Sequence, residues 1–421
     1  MVKQPAISDR RRNKKQLVAN IVLAALSLGV SLVVVELALR TIIPLDPRRP
    51  FEFRIPHPVF GWALQPNASY LFQAPEGSVS VAYNSQGWRD TEHLKKKPDG
   101  VFRILVLGDS FMEAASIELA DTFHKRVEEF ARATGQNVEV ISMGVAGYGT
   151  LQEYLVYRDV GQLYEPDLVL VGFYDGNDLV NNSLELASSL PEEGTVTTAR
   201  PFLALDESSH WTITPVAFED AQRAYDENLA SLEAKRNSLT EKLILFRLFR
   251  AGLDRIPLPD FLTGPEIQPE PVDKERQEMV LMGVNYCLEP AEYTRAWDIT
   301  ERILAMFKEE VEAHGSKLVV FDVPAEEEVS LEYMEAVIAD VAHPEKLCLE
   351  DAPGHARLNQ ILTELDVEQI SLLADFRRVM REDGVNLYQS DLHWSPKGHA
   401  LAAEIVVSEL IRGQLLPISD R

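Results

Sequence analysis

The spacing of apolar and polar positions changes character along this chain. From Leu17 to Val35 the sequence "LVANIVLAALSLGVSLVVV" holds no charged residue, and at about 1.5 Å per residue it nearly crosses a bilayer core of about 30 Å. From 44 to 100 the chain is punctuated by Pro, Asn, Gly and aromatics, and "SVSVAY" at 78–83 alternates with a period of two. That pattern predicts short strands and a small β-rich lead-in.

From 101 onward short apolar runs alternate with helical periodicity. Arg103–Leu107 reads as a strand, and Ala120–Thr134 as a helix with Phe123, Val127 and Phe130 on one face. Asn137–Gly144 and Pro166–Tyr174 read as further strands, with a helix over Leu151–Tyr164 between them. The βαβαβ order predicts a parallel sheet with right-handed crossovers, and continuous apolar strands predict cover on both faces. Residues 183–290 interrupt it with polar and Pro-rich loops around a helical stretch, Phe218–Leu253, and irregular chain over Arg255–Asp273. Such an insertion is either a lid or binding surface, or a helical extension that covers apolar surface. The pattern resumes with a helix at Ala296–Gly315, a strand at Ser316–Pro324 and a helix at His355–Leu365. A last strand over Glu368–Phe376 and a closing helix over Ser395–Ile411 complete it.

Charge changes this picture in two ways. The 421 residues carry a formal charge of -25, which argues against a nucleic-acid partner, since phosphate binding needs a basic patch. The exception is "RRRNKK" at 10–15, directly before the apolar run. That run is longer than the usual hydrophobic core of a signal peptide and lacks a convincing small-residue cleavage site. The expected organisation is a basic cytoplasmic tail (1–15), an uncleaved transmembrane signal anchor (16–43), the lead-in (44–100) and an extracytoplasmic domain (101–421). A cleaved signal is the alternative. Cys287 and Cys348 can pair outside the cytoplasm or stay as buried thiols.

Four segments fall at the carboxyl ends of the predicted strands, where open α/β sheets build their sites. "GDS" places Ser110 at a strand-to-helix turn, as nucleophile or as helix cap. "GVAGYGT" supplies a glycine loop around Gly147, "DGNDL" supplies Asn177, and "SDLHWSPKGH" supplies Asp391 and His393. Acyl transfer to serine needs a base, a group that fixes the base's tautomer, and donors aimed at an oxyanion. His124 and His314 are poorly placed for the base, His399 reads as structural, Asp109 suits loop bonding beside the serine, and Asp178 reads as structural.

Together these blocks resemble the SGNH/GDSL hydrolases, over roughly residues 100–415. The resemblance implies a flavodoxin-like three-layer α/β/α sandwich with a five-stranded parallel sheet. It implies Ser110 as nucleophile, His393 as base and Asp391 as its orienting acid. The N–H groups of Ser110 and Gly147, with the Asn177 side chain, would form the oxyanion hole. No metal or cofactor is called for. The first block reads Gly-Asp-Ser-Phe, the second opens on Ser142 rather than Asn, and Asp391 stands two residues before His393 instead of three. That spacing followed by Trp394 is similar to the membrane-associated branch containing the alginate O-acetyltransferases. The expected function is a membrane-anchored esterase acting on an ester-bearing substrate such as an O-acetylated carbohydrate. The alternatives are an O-acyltransferase of an envelope or exported polysaccharide, and an inert envelope-assembly or carbohydrate-binding protein.

Overall fold

The structure, a computed structural model, describes residues 7–40, 50–190, 199–237, 243–246, 248 and 274–417. The chain forms two compact units, residues 1–47 with 227–269 and residues 48–226 with 270–421. In the first unit, α1 runs Ile7–Leu39. Its segment Gln16–Leu39 is long and apolar enough to cross a membrane. Within that unit the Glu36 carboxylate accepts the N–H groups of Ile244 (3.1 Å) and Leu245 (3.0 Å), capping the start of a short helical turn.

The second unit opens with two small antiparallel pairs: β1 (Arg54–His57) with β2 (Gly61–Leu64), and β3 (Ser69–Ala74) with β4 (Gly77–Ala82). The elements that follow are β5 (Phe102–Leu107), α2 (Ser110–Glu113), α3 (Phe123–Ala133), β6 (Val138–Ser142), α4 (Thr150–Asp159), β7 (Leu168–Phe173), α5 (Asp175–Asn182) and α6 (Leu184–Ala187). A hairpin, β8 (Leu203–Leu205) and β9 (Trp211–Ile213), precedes α7 (Phe218–Asn237). Then come α8 (Lys274–Met282), α9 (Ala291–Ala313), β10 (Lys317–Asp322), α10 (Glu326–Val329) and α11 (Leu331–Asp340). The chain ends with α12 (Pro353–Glu364), β11 (Glu368–Ile370), α13 (Leu373–Arg381) and α14 (Pro396–Arg412).

The main sheet is wholly parallel, in the order β11-β10-β7-β5-β6. Counted along the chain its strands lie 2-1-3-4-5, the flavodoxin-like winding, with the direction reversing between β5 and β7. Alternate residues serve two cores. Ile104, Val106, Leu168, Leu170, Val319 and Phe321 pack with α3, α13 and α14. Leu105, Leu107, Val169, Val171, Leu318 and Val320 pack with α4, α9 and α12 and with Trp62, Tyr70 and Val81 of the lead-in. With both faces buried, the middle strands need apolar residues at successive positions, which is why β7 reads as an unbroken run.

The fold departs from the sequence reading in places. The last strand is only Glu368–Ile370, and Leu373–Arg381 is helical. Asp322, at the end of β10, stops the strand by accepting the Leu372 N–H (2.6 Å) and the Ser371 hydroxyl (2.7 Å). The helix expected over Leu151–Tyr164 tightens after Asp159 into a single 3₁₀ turn, Gly161–Tyr164. The insertion carries the β8–β9 hairpin, whose three-residue strands are too short to show a period. Its helix spans Phe218–Asn237; most of 238–253 and the expected irregular stretch 255–273 lie outside the described residues.

Cys287 and Cys348 form a disulfide with a Cα–Cα distance of 5.0 Å, closing 61 residues of chain. Backbone pairing of Tyr286 with Leu347 holds the two segments beside each other. A loop of that size points to a contribution of about 2–4 kcal/mol, mostly through the unfolded chain. Cys287→Ser should therefore lower the unfolding free energy in urea by about that amount. An unchanged midpoint would refute a stabilising bridge.

Candidate active site

The site is assembled where the winding reverses. Gly108 closes β5 with φ +156°, and a Cβ there would lie 2.3 Å from Met112 Cγ, so the chain turns sharply at that point. Asp109 then caps α2 by accepting the Phe111 N–H at 2.9 Å. Ser110 is thereby left as the first residue of a helix, with its side chain free to face the opposite loops.

His393 reaches Ser110 from the other end of the chain: Nε2 lies 2.8 Å from Oγ. Its Nδ1 faces two acceptors of one residue, the Asp391 carbonyl at 3.1 Å and the Asp391 carboxylate Oδ2 at 3.5 Å. Oδ1 of the same carboxylate accepts the His393 backbone N–H at 3.2 Å. The two-residue spacing works because Leu392, between them, takes φ +67°. That left-handed turn swings the Asp391 carbonyl under the imidazole, and it costs a non-glycine residue about 1–2 kcal/mol. Pairing of Tyr388 with Trp394 and the Gln389 N–H bond to the His393 carbonyl (2.8 Å) hold the turn closed. Both acceptors keep the proton on Nδ1 and turn the Nε2 lone pair toward the serine.

Burial disfavours the charged imidazolium, but the Asp391 hydrogen bond and charge, and then the Asp109 charge, outweigh it and raise the His393 pKa above its usual range. Asp391 is held below the usual carboxylate range: burial opposes this, and the His393 partnership outweighs burial. Phe111 packs tilted at 4.9 Å from the His393 ring and edge-on at 5.2 Å from Trp394, forming an apolar wall beside the imidazole.

The remaining expected residues converge on the same edge. Asn177, in the first turn of α5, donates from Nδ2 to the Asp109 carboxylate at 2.6 Å, which leaves its second amide proton available. Gly147 takes φ +80°, and its carbonyl accepts from Asn181 Nδ2 at 3.2 Å. Among the described residues, neither the Ser110 nor the Gly147 backbone N–H has a hydrogen-bond partner. Ser142, at the end of β6, gives its N–H to Asp90 (3.0 Å). Asp178 joins Thr150 Oγ1 (2.7 Å) to the Tyr174 N–H (2.8 Å), tying α4 to α5. His399 is buried against Trp394 at 5.5 Å; burial, then the Arg89 charge, push it down to about 3, so it is neutral. His124 bonds Thr122, and His314 bonds the Glu310 carbonyl; neither faces Ser110.

Residues that sequence reasoning passed over hold this edge together. Glu113 is buried and accepts from Tyr83 OH (2.9 Å) and from the Ala146 N–H (2.7 Å), beside Gly147. Arg89 is buried and donates to the carbonyls of Glu113, Ala114 and Ile117, the chain leaving α2. Both come from segments whose partners are distant in sequence. The available signal is "QGWRD", an Arg-Asp pair directly behind a tryptophan in the lead-in. A cavity of about 750 Å³ opens beside the His393 loop, touching Ser116, Ser390 and Leu392 and the acids Glu76, Glu118, Asp121 and Glu326; among the described residues no Lys or Arg lines it.

Residues 286–419 match the family model described as the SGNH hydrolase-like domain of the acetyltransferase AlgX. That stretch contains Asp391 and His393, while Ser110, Gly147 and Asn177 lie upstream of it. No curated protein matches the chain. Among solved structures it is similar to the acetyl xylan esterase AlAXEase, with 10% identity over 73% of this chain and 100% of that one at a TM-score of 0.37. It is also similar to a lipase/acylhydrolase from Enterococcus faecalis, with 12% identity over 76% and 100% at 0.36. A catalytic mutant of Axe2, an acetylxylan esterase from Geobacillus stearothermophilus, aligns at 12% identity over 73% and 94%, also at 0.36.

The Leu392 turn gives a direct test of the spacing argument. Leu392→Gly should stay within about 0.5 kcal/mol of the parent, since strain relief offsets added chain entropy, whereas Leu392→Val should cost about 1–2 kcal/mol. Equal stabilities for the Val and Gly variants in denaturant titration would show that the turn carries no strain.

Proposed function

We propose that this chain, an SGNH/GDSL-type protein by its match over residues 286–419, is a membrane-anchored serine enzyme that cleaves acyl esters through Ser110, His393 and Asp391. The single observation behind this reading is the 2.8 Å approach of His393 Nε2 to Ser110 Oγ, with Nδ1 held from behind. In the first step Ser110 Oγ attacks the ester carbonyl while His393 Nε2 takes its proton. The developing oxyanion is received by the N–H groups of Ser110 and Gly147 and the spare Asn177 amide proton. His393 then protonates the leaving alcohol, the C–O bond breaks, and the acyl group rests on Ser110. Water or a sugar hydroxyl, deprotonated by His393, removes it.

The second reading, transfer of an acetyl group to a carbohydrate hydroxyl, is favoured by the family model's description as an acetyltransferase. The groove beside the His393 loop bears on the substrate. It carries carboxylates and, among the described residues, no Lys or Arg, so it suits a neutral glycan over a polyuronate, whose charges it would repel. The disulfide suits an oxidising compartment, and the basic cluster at 10–15, before the apolar run, suits a cytoplasmic N-terminus, so the catalytic unit belongs outside the inner membrane.

The deciding experiment supplies the detergent-solubilised chain with an acetyl ester, with and without a neutral polysaccharide, and follows the acetyl group. Acetate in both arms identifies a hydrolase; acetylated glycan in the second identifies a transferase. Ester turnover equal to that of a folded Ser110→Ala variant would overturn both readings. The pH profile adds a signed expectation. The base works only when neutral, so kcat/KM should rise with pH through a midpoint above the ordinary histidine value, 6.5. Asp391→Asn removes the interactions that raise that pKa, and its midpoint should fall. Because the Asp391 carbonyl still fixes the Nδ1 proton, the rate should drop by about 100-fold, less than the roughly 10,000-fold seen when an orienting carboxylate is the sole acceptor. A midpoint that rises in Asp391→Asn would contradict the assigned partnership.

A further inference from the structure

Behind α5, away from Ser110, a second constellation is buried. His355, in the first turn of α12, points Nδ1 at Asp322 Oδ2 (3.0 Å) and Nε2 at Glu328 Oε2 (3.0 Å). Asp322 is saturated, since it also holds the Leu372 N–H and the Ser371 hydroxyl. With Nδ1 donating to Asp322, a neutral His355 would set its Nε2 lone pair against a carboxylate lone pair. Something positive must lie there. A proton settles that contact and nothing else. It leaves Glu328 Oε1 and Asp175 Oδ2 without hydrogen-bond partners, although Glu328 is fully buried and Asp175 only 5% exposed. Leaving a carboxylate oxygen unpaired in such a place is expensive.

Asp175, Glu328 and His355 each offer a ligand atom, and these atoms lie within 4.8 Å of one another. Space for the Asp175 carboxylate is kept by Gly354, where a Cβ would fall 2.0 Å from Oδ2. We propose that Asp175, Glu328 and His355 bind a divalent transition-metal ion. One imidazole nitrogen and two carboxylate oxygens form a donor set suited to Zn²⁺ or Mn²⁺ rather than to an all-oxygen ion such as Ca²⁺. Asp322 serves as the outer partner that fixes the imidazole through Nδ1–H, the usual arrangement behind a metal-bound histidine. The ion joins the first turn of α5 to α10, α12 and the end of β10. Asp175 stands two residues before Asn177, so the ion anchors the turn that presents that amide. It takes no part in the acyl chemistry, and its binding does not depend on that assignment.

The test uses the untagged full chain in detergent, stripped with a chelator and then dialysed against ZnCl₂, MnCl₂ or CaCl₂. The expected result is retention of a single Zn²⁺ or Mn²⁺ per chain by elemental analysis, with a melting temperature raised by roughly 5–10 °C at saturation. Asp175→Asn, which keeps the shape, should lose retention, and Asp322→Asn should weaken it by roughly 10–100-fold. If Asp175→Asn fails to fold, elemental analysis of the parent decides alone. No retained ion and an unmoved melting temperature with Zn²⁺ and Mn²⁺ would leave His355 as a protonated bridge between Asp322 and Glu328 and overturn the proposal. So would a response to Ca²⁺ alone, or undiminished retention by Asp175→Asn.

Discussion

Because the central strands β5, β7 and β10 are apolar on both faces over most of their length, polar chemistry is gathered at their ends. β5 sits at the reversal of winding, so loops from β5, β6 and β7 leave the sheet side by side. That constraint brings Ser110, Gly147 and Asn177 together from three separate crossovers. The closing helix α14 packs against α3 on one face, and its N-terminal lead carries His393 back over the same edge. Each side chain at the candidate site thus sits on a short turn whose position is set by a core it does not join.

A turn at a sheet edge is exposed to water and free to drift, and buried ionic contacts from the lead-in restrain it here. Arg89 collects the carbonyls that follow α2, and Glu113 links Tyr83 to the loop of Gly147. Asp90 accepts the Ser142 N–H and pairs with Lys125 and His93. Burying such charges is favourable only when nearly every donor and acceptor is used, and replacing one partner strands the others. The lead-in therefore acts as a clamp on the site, in addition to covering apolar surface with Trp62 and Tyr70.

This division explains what could be read in advance. Strands β5, β6, β7 and β10 and the candidate site blocks follow from local pattern: an apolar run, a glycine, then a polar residue beginning a helix. Ser110 and His393 are visible because their turns have local signatures. Glu113 and Arg89 are not, because their meaning lies in partners with which they share no period. The final strand misleads for a related reason. Asp322 captures Leu372 from another strand, and no window around Leu372–Phe376 contains that acceptor. The His355 cluster is drawn from four segments spread over 175–355, so no spacing rule could assemble it.

The acids behind the oxyanion donors complete the electrostatics. Asp109, Asp178 and Glu153 are all buried close to one another. Burial pushes each carboxyl upward; repulsion from Asp109 adds to the shift of Asp178, and repulsion from Asp178 and then Asp109 to that of Glu153. Asp178 reaches about 8, and Glu153 stands well above the carboxylate range. If all were ionised at neutral pH, their field would oppose any negative charge developing beside the Ser110 and Gly147 N–H groups. Raised by burial, Asp178 still accepts from Thr150 and the Tyr174 N–H, while both Glu153 oxygens are buried with no hydrogen-bond partner among the described residues. Burial raises Asp109 as well, and the Phe111 N–H, the His393 charge and the Asn177 amide oppose that rise. Its carboxylate accepts from the Phe111 N–H and from Asn177 Nδ2, which fixes that amide at the sheet edge. The same burial that makes the sheet edge stable thus raises all three carboxyl groups, and of the three Asp109 is the one that holds the Asn177 amide.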